Sequence, residues 1–336
     1  MRHEAAKETE LDVLGIGNAI VDVLAHAEQS LVERLGLEKG AMTLVDEARS
    51  EELYAHMADA REVSGGSCAN TIAAIADMGG RAAFIGKVRN DRLGQTFGED
   101  ITARGVCFRT AASTSGSLTA RSMIFVTPDA QRTMQTYLGA CVELSTNDID
   151  EDLLRQSKVT YLEGYLWDKP AAKEACLKAI DIAHTNDRRV ALTLSDSFCV
   201  DRWRSEFLEL IERHTDILFA NQVELHSLFP DLSFGDAVDR LASLVTIAAI
   251  TRSEHGSIVC SGGNSRTIAA DLRGKLVDTT GAGDLYAAGF LRGLTADLDL
   301  ERCGRLGSAA AGQIITQYGA RADTPLRPLY DNILEH

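Results

Sequence analysis

Six short apolar runs recur along the chain: LDVLGIG at 11–17, AAFIGKV at 82–88, VTYLEG at 159–164, RVALTLS at 189–195, DILFAN at 216–221 and VTIAAIT at 245–251. Amphipathic helical patterns separate many of them, AAKEACLKAIDIAH at 171–184 being one. Strand, helix and strand in that order close by a crossover, so the alternation predicts parallel strands covered by helices, a layered α/β domain. Two stretches break the rhythm, 18–48 and 107–138. In the second, RSMIFVTPDAQRTMQTYL reads as two strands around a Pro-Asp turn. Both interruptions fit one small β lid built from two insertions, which leaves a core of 11–17, 49–106 and 139–330 within a single domain spanning 11–330.

Charge and composition narrow the partners. A net charge of −15 speaks against nucleic acid and against acidic membrane surfaces, because phosphate-backbone binding needs clustered Lys and Arg. The opening MRHEAAKETE has no apolar core of a signal peptide, and the longest apolar stretch, around VTIAAI at 245–250, is too short to span a bilayer. A cytoplasmic protein is expected. Seven cysteines, at 68, 107, 141, 176, 199, 260 and 303, contain no C-x-x-C pair and read as reduced, mostly buried thiols. Eight scattered histidines lack ligand spacing, so no zinc site is expected.

Four stretches carry chemistry. The first strand ends in GIGNAIVDVLA, which has Gly15 and Gly17 of a dinucleotide fingerprint but Ile20 at the third position, and AIVDVLA continues as strand. In an extended chain Asn18, Ile20 and Asp22 share one face, so an amide and a carboxylate line up either to bind a polyhydroxy ligand or simply to face solvent. SGGSCANTIAAIADMGG at 64–80 is a glycine turn opening into a helix. Gly65 and Gly66 permit close backbone approach, Asn70 sits in the first turn, Ser67 is a candidate cap, and Cys68 reads as a packed thiol because no histidine lies near it. In ANQVELHSLF, Asn221 and Glu224 have the spacing of a capping box. In DTTGAGDLYAAGF at 278–290, Gly281, Ala282 and Gly283 open a helix on Asp284. A helix N-terminus favours an anion, so that carboxylate is either a plain cap or a reactive group. No G-x-x-x-x-G-K-[ST] occurs, which excludes a P-loop nucleotide site.

In sequence order, GGSCAN near 65, ANQVE near 221, TRSEHG near 251 and DTTGAGDLYAAGF near 278 resemble the ribokinase and adenosine kinase family, the phosphofructokinase B superfamily of carbohydrate and nucleoside kinases, from residue 11 to residue 325. The resemblance implies a layered α/β/α ribokinase-like domain with a mostly parallel central sheet and a small β-sheet lid. It also implies transfer of the ATP γ-phosphate to a hydroxymethyl group. Asp284 then matches the base that takes the substrate proton, and the amides of Gly281, Ala282 and Gly283 match the anion hole. Asp22, with Gly65, Gly66 and Asn70, matches the sugar contacts, and Asn18 lies beside them. Asn221 and Glu224 match the pair that organises Mg2+ and its waters. Arg132 matches a lid arginine that reaches the phosphates, with a solvated lid charge as the alternative. Thr251 through Gly256, and Gly319, belong near the ATP nucleoside, although Ser253 stands where many members have glycine. Asp278 and Thr280 match positions that bind a monovalent cation such as K+.

The GGSCAN spelling and the stretch from Arg132 through GAC are closest to adenosine kinases. In EGYLWD at 163–168, Tyr165 or Trp167 offers a ring for a purine, or packs in the core. The expected acceptor is adenosine; the alternative is a sugar kinase acting on ribose, fructose or 2-keto-3-deoxygluconate. A monomer or a lid-to-lid homodimer is expected. A binding regulator on the same fold is the competing class, against which an intact Asp284 and Glu224 argue.

Overall fold

A computed structural model describes residues 11–57, 59–129 and 131–335. The first seven strands are β1 (Leu11–Ile16), β2 (Ile20–His26), β3 (Met42–Leu44), β4 (Arg61–Gly65), β5 (Ala82–Ile85), β6 (Val106–Phe108) and β7 (Ala120–Val126). They are followed by β8 (Arg132–Tyr137), β9 (Ser157–Glu163), β10 (Arg189–Thr193), β11 (Ile217–Asn221), β12 (Ile247–Thr251), β13 (Ser257–Ser261) and β14 (Asn264–Ile268). Among the described residues they form a large sheet in the order β14-β13-β12-β11-β10-β9-β1-β5-β6 and a small one in the order β3-β8-β7-β2-β4.

The large sheet is parallel from β6 to β12, as the alternation predicts, with β13 and β14 added as an antiparallel hairpin. Side-chain alternation sorts each strand between two cores. Val13 of β1, Tyr161 of β9 and Ala249 of β12 face one layer, which includes the helices Ser67–Asp77, Ala282–Thr295 and Leu300–Ile314. Leu14, Leu162 and Ile250 face the other, with helices Pro170–Thr185 and Ser197–His214. The first of that second pair was expected at 171–184, and its proline occupies the first turn, where a missing N–H costs nothing. All seven cysteines are free thiols, six of them buried. No helix among the described residues is long and apolar enough to cross a membrane.

The small sheet corrects the two-insertion boundaries. β4 at Arg61–Gly65 lies outside 18–48 yet pairs with β2, so the small sheet draws on the chain from Ile20 through Gly65 and again from Ala120 through Tyr137. Conversely β6, at the start of the expected second insertion, pairs with β5 and belongs to the large sheet. The physical reason is that REVSG has no apolar alternation to mark it as a strand, its burial being decided by its partners. β1 runs out of the large sheet at Ile16 and re-enters extended structure as β2 at Ile20, so Asn18 marks the crossing between the two sheets. That crossing lies at the carboxyl ends of the parallel strands, where open α/β sheets hold their ligands.

Candidate active site

A cavity of about 590 Å³ lies between the two sheets, with Asn18, Asp22, Asn70, Arg132, Glu163 and Asp284 among its lining residues. Asp284 stands in the first turn of the helix Ala282–Thr295, whose N-cap is Gly281 in the left-handed region at φ 79°. A side chain on Gly281 would also crowd Ala320 at 2.6 Å, so glycine is required there. Asp284 does not cap its helix. Ser67 Oγ donates to its Oδ1 at 2.6 Å and Asn70 Nδ2 to its Oδ2 at 2.9 Å. Ser67 is therefore a partner of Asp284, while Gly66 occupies the N-cap position of the helix Ser67–Asp77. Burial pushes the Asp284 carboxyl up, opposed by those two hydrogen bonds and by the Arg321 charge.

One expected anion-hole amide is turned away. The Ala282 N–H donates to the Thr279 carbonyl at 3.1 Å. The amides of Gly281, Gly283 and Asp284 have no acceptor among the described residues, and a Cβ on Gly283 would meet open space. Nothing in the protein requires glycine at Gly283, so the bare backbone there suits close approach by a ligand.

Asp22 on β2 faces Asp284 and the buried Arg321, and burial pushes it up to about 6, against the Arg321 and Arg132 charges. Gly65 makes room for it, since a Cβ there would lie 2.5 Å from the Asp22 carboxyl. At Gly66, with φ 98° and ψ 140°, a Cβ would fall 2.2 Å from the Asn18 carbonyl oxygen. Asn18 is held by Glu163, whose Oε1 accepts its Nδ2 at 2.6 Å, while Glu163 Oε2 accepts the Cys68 N–H at 2.9 Å. Burial pushes Glu163 up to about 7. Asn18 Oδ1 and Asn70 Oδ1 are buried acceptors with no donor among the described residues, and both residues line the cavity.

Tyr165 lines the cavity and donates its hydroxyl to the Ser195 carbonyl at 3.2 Å, its ring 6.2 Å from that of Phe198, another lining residue. Burial pushes its phenol up. Trp167 instead stacks on Phe207 inside the core. Burial likewise lifts the Cys68 thiol far above its ordinary range, which leaves it inert.

Arg132 sits against Asp278 and Thr280. Its Nη1 lies 2.6 Å from Asp278 Oδ2 and 3.3 Å from Thr280 Oγ1. Thr280 Oγ1 donates to Asp278 Oδ1 at 2.7 Å and the Gly319 N–H to Asp278 Oδ2 at 2.9 Å. The two residues expected around a monovalent cation are thus both bound to a guanidinium in this structure. Arg132 Nε and Nη2 are buried with no acceptor among the described residues.

Asn221, Glu224, Thr251, Ser253 and Gly256 do not line the cavity. Asn221 and Glu224 form a complete capping box, the Asn221 N–H and Nδ2 donating to the two Glu224 oxygens at 2.9 and 2.7 Å. Burial pushes Glu224 up to about 7. Thr251 pairs with Asn221 across β11 and β12, which places both at one sheet end. Ser253 adopts φ 51°, a left-handed conformation that explains why glycine suits this turn; Gly256 follows at φ 75°. No group of three or more His, Cys, Asp or Glu among the described residues could hold a metal by itself.

Glu163 and Arg321 are the site residues that the motifs did not reveal, and Ser67, read as a cap, is instead a partner of Asp284. Glu163 offered one signal, a carboxylate at the very end of a buried strand. Arg321 offered none.

The model of the pfkB family of carbohydrate kinases matches residues 40–327. The structure of adenosine kinase from Sinorhizobium meliloti is 51% identical, with a TM-score of 0.88, over 96% of this chain and 99% of that one. A probable sugar kinase from Rhizobium etli CFN 42 is 48% identical, also with a TM-score of 0.88, over 96% and 98% of the two chains. The 5-dehydro-2-deoxygluconokinase 2 of Bacillus cereus is 24% identical over 338 residues, covering 96% of this chain and 94% of the relative.

Proposed function

The chain belongs to the pfkB family of carbohydrate kinases and is an ATP-dependent phosphotransferase, and on that premise we propose that its acceptor is the 5′ hydroxymethyl group of adenosine. The composition of the cavity wall carries this reading. Two open amide oxygens and two carboxylates suit ribose hydroxyls, while Tyr165, Phe198, Leu138 and Val142 suit the faces and edges of a base. A monosaccharide would use the polar set alone and leave the aromatic pair bare. The likeness to the Sinorhizobium meliloti adenosine kinase supports the same choice. A sugar acceptor is the second reading, favoured by the names of the other two relatives.

In the proposed reaction Asp284 accepts the proton of the attacking hydroxyl. Its burial raises its basicity, and Ser67 and Asn70 fix its orientation. The open amides of Gly281, Gly283 and Asp284 stabilise the transferring phosphoryl group at a positive helix end. Arg132, with two donors unused, exchanges Asp278 for a phosphate. Asn221 and Glu224 make no cage of their own, so they fit an Mg2+ that arrives on ATP with its waters, where it would neutralise phosphate charge. A panel of adenosine, ribose, fructose, 2-keto-3-deoxygluconate and 5-dehydro-2-deoxygluconate, compared by kcat/KM, tests the assignment. Adenosine is expected to lead by at least about tenfold, a gap of 1.4 kcal/mol in transition-state binding; a sugar in front establishes the second reading.

Glu224→Gln separates cap from metal partner. Its raised value means the folded chain holds this proton more tightly than the unfolded chain does. The resulting stability is complete below the ordinary glutamate range and is lost as pH rises through about 7. At pH 8 the amide, which keeps one of the two cap bonds, is therefore expected to melt at or above the parent temperature. The Mg2+ concentration for half-maximal rate is expected to rise severalfold. A lowered melting temperature with unchanged Mg2+ dependence would leave Glu224 a cap alone.

A further inference from the structure

Arg321 is buried in the cavity wall, yet every bond it makes is to a neutral acceptor. Its Nε donates to the Ser64 carbonyl at 2.9 Å, its Nη1 to the Ala69 carbonyl at 2.7 Å and its Nη2 to Ser64 Oγ at 3.0 Å. It is 7% exposed, and no carboxylate among the described residues lies within ion-pair distance of it. Burying a guanidinium without a contacting anion is costly, and a site retains one where its geometry or its field is used. Both are evident here. Ser64 is the penultimate residue of β4 in the small sheet, and Ala69 lies in the first turn of the helix Ser67–Asp77; between them lie Gly65 and Gly66, which make room for Asp22 and Asn18. The same helix carries Ser67 and Asn70, which hold Asp284.

We propose that Arg321 is a positioning residue for phosphoryl transfer, tying the two banks of the Gly65–Gly66 turn together and supplying the positive charge that faces Asp284 and Asp22. The inference rests on the reading of Asp284 as the base. Around Arg321 lie Asp22, Asp284, Asp100 and Arg104, and burial brings the guanidinium down to about 10, still charged at neutral pH. Around Asp284 lie Asp22, Glu163, Cys68, Tyr161 and Tyr165, with Arg321 as the cation that opposes its upward shift. Asp100 in turn receives the Ser64 N–H at 2.9 Å and Ser64 Oγ at 2.6 Å, which anchors the near bank from the other side.

The test compares kcat against pH, and acceptor KM, in the parent, Arg321→Gln and Arg321→Lys. Removing the cation leaves Asp284 protonated to higher pH, so in Arg321→Gln the acidic limb of kcat is expected to move up by about one in pH. In Arg321→Lys the charge remains, so the limb is expected to stay within about 0.3 of the parent while acceptor KM rises severalfold, because one ammonium cannot span three acceptors. A limb that does not move in Arg321→Gln overturns the electrostatic part. Should that variant fail to fold, Ser64→Ala removes one tether and keeps the cation; raised acceptor KM with an unmoved limb supports the proposal, and unchanged KM overturns the tethering. A parent with no acidic limb, or with one that survives Asp284→Asn, refutes the base assignment instead.

Discussion

Asp284→Asn is expected to lower kcat by roughly 10²–10⁴-fold, the loss that follows removal of a general base. The substitution preserves shape, and the Ser67 hydroxyl and the Asn70 amide can both reorient toward an asparagine. Stability is expected to hold. The folded Asp284 binds its proton more tightly than the unfolded residue, so its stabilising effect is complete below the ordinary aspartate range and is lost as pH rises through the raised value. At pH 8 the neutral amide is therefore at least as stable as the buried carboxylate. ATP affinity is expected to hold or improve, because one negative charge beside the open amides is gone. Steady-state kinetics, ATP titration and thermal melting on this single variant decide the matter. Turnover within about threefold of the parent, far inside the range for a lost base, would make Asp284 structural.

The parallel part of the fold apart from β6 was legible because those strands are buried on both faces and read as unbroken apolar runs; β5 is buried at every residue, whereas two of the three residues of β6 are half-buried. β13 and β14 were not among the runs read from the sequence, and the exposed β14 has almost no apolar pattern. In the site, Asp284, Asn70, Asn18 and Asp22 were legible because each sits in a short motif with its own local geometry. Glu163 and Arg321 were not, because each acquires meaning across the fold. Glu163 meets Asn18 over a separation of 145 residues, and Arg321 meets Ser64 over 257. The same blindness explains Asp278. Its motif shows a carboxylate just before a helix start, but only the position of β8 beside that loop brings Arg132 to it. Trp167 and Tyr165 share one short segment, and which ring faces the cavity depends on the 3-10 turn Gly164–Asp168.

Gly66→Ala is expected to cost about 10²-fold in kcat/KM for the acceptor, with kcat/KM for ATP falling only in proportion to kcat. Two independent constraints require glycine there. The backbone at φ 98° and ψ 140° is a conformation that L residues adopt at a cost of about 1–3 kcal/mol. A Cβ would also fall on the Asn18 carbonyl oxygen, far inside the 3.0 Å that real Cβ atoms keep, and that neighbour is backbone and cannot rotate away. The chain must therefore part by an appreciable fraction of an ångström at the point where β1 crosses to β2. That displacement moves Asn18 away from Glu163 and, through the helix Ser67–Asp77, moves Ser67 and Asn70 relative to Asp284. Misplacement by about 1 Å costs a reaction of this kind roughly 10²-fold. Gly98→Ala is the control. Gly98 lies within the helix Arg92–Ala103 with a negative φ, and a Cβ there would make ordinary contact with Phe108 at 3.8 Å. The same added methyl is expected to stabilise the protein by about 0.5–1 kcal/mol at that position and to leave acceptor kinetics unchanged. Opposite shifts in melting temperature for the two variants, with kinetic loss confined to Gly66→Ala, would support the crossing as the element that sets substrate geometry. Normal acceptor kinetics in Gly66→Ala would show that Asn18 and its neighbours do not hold the acceptor.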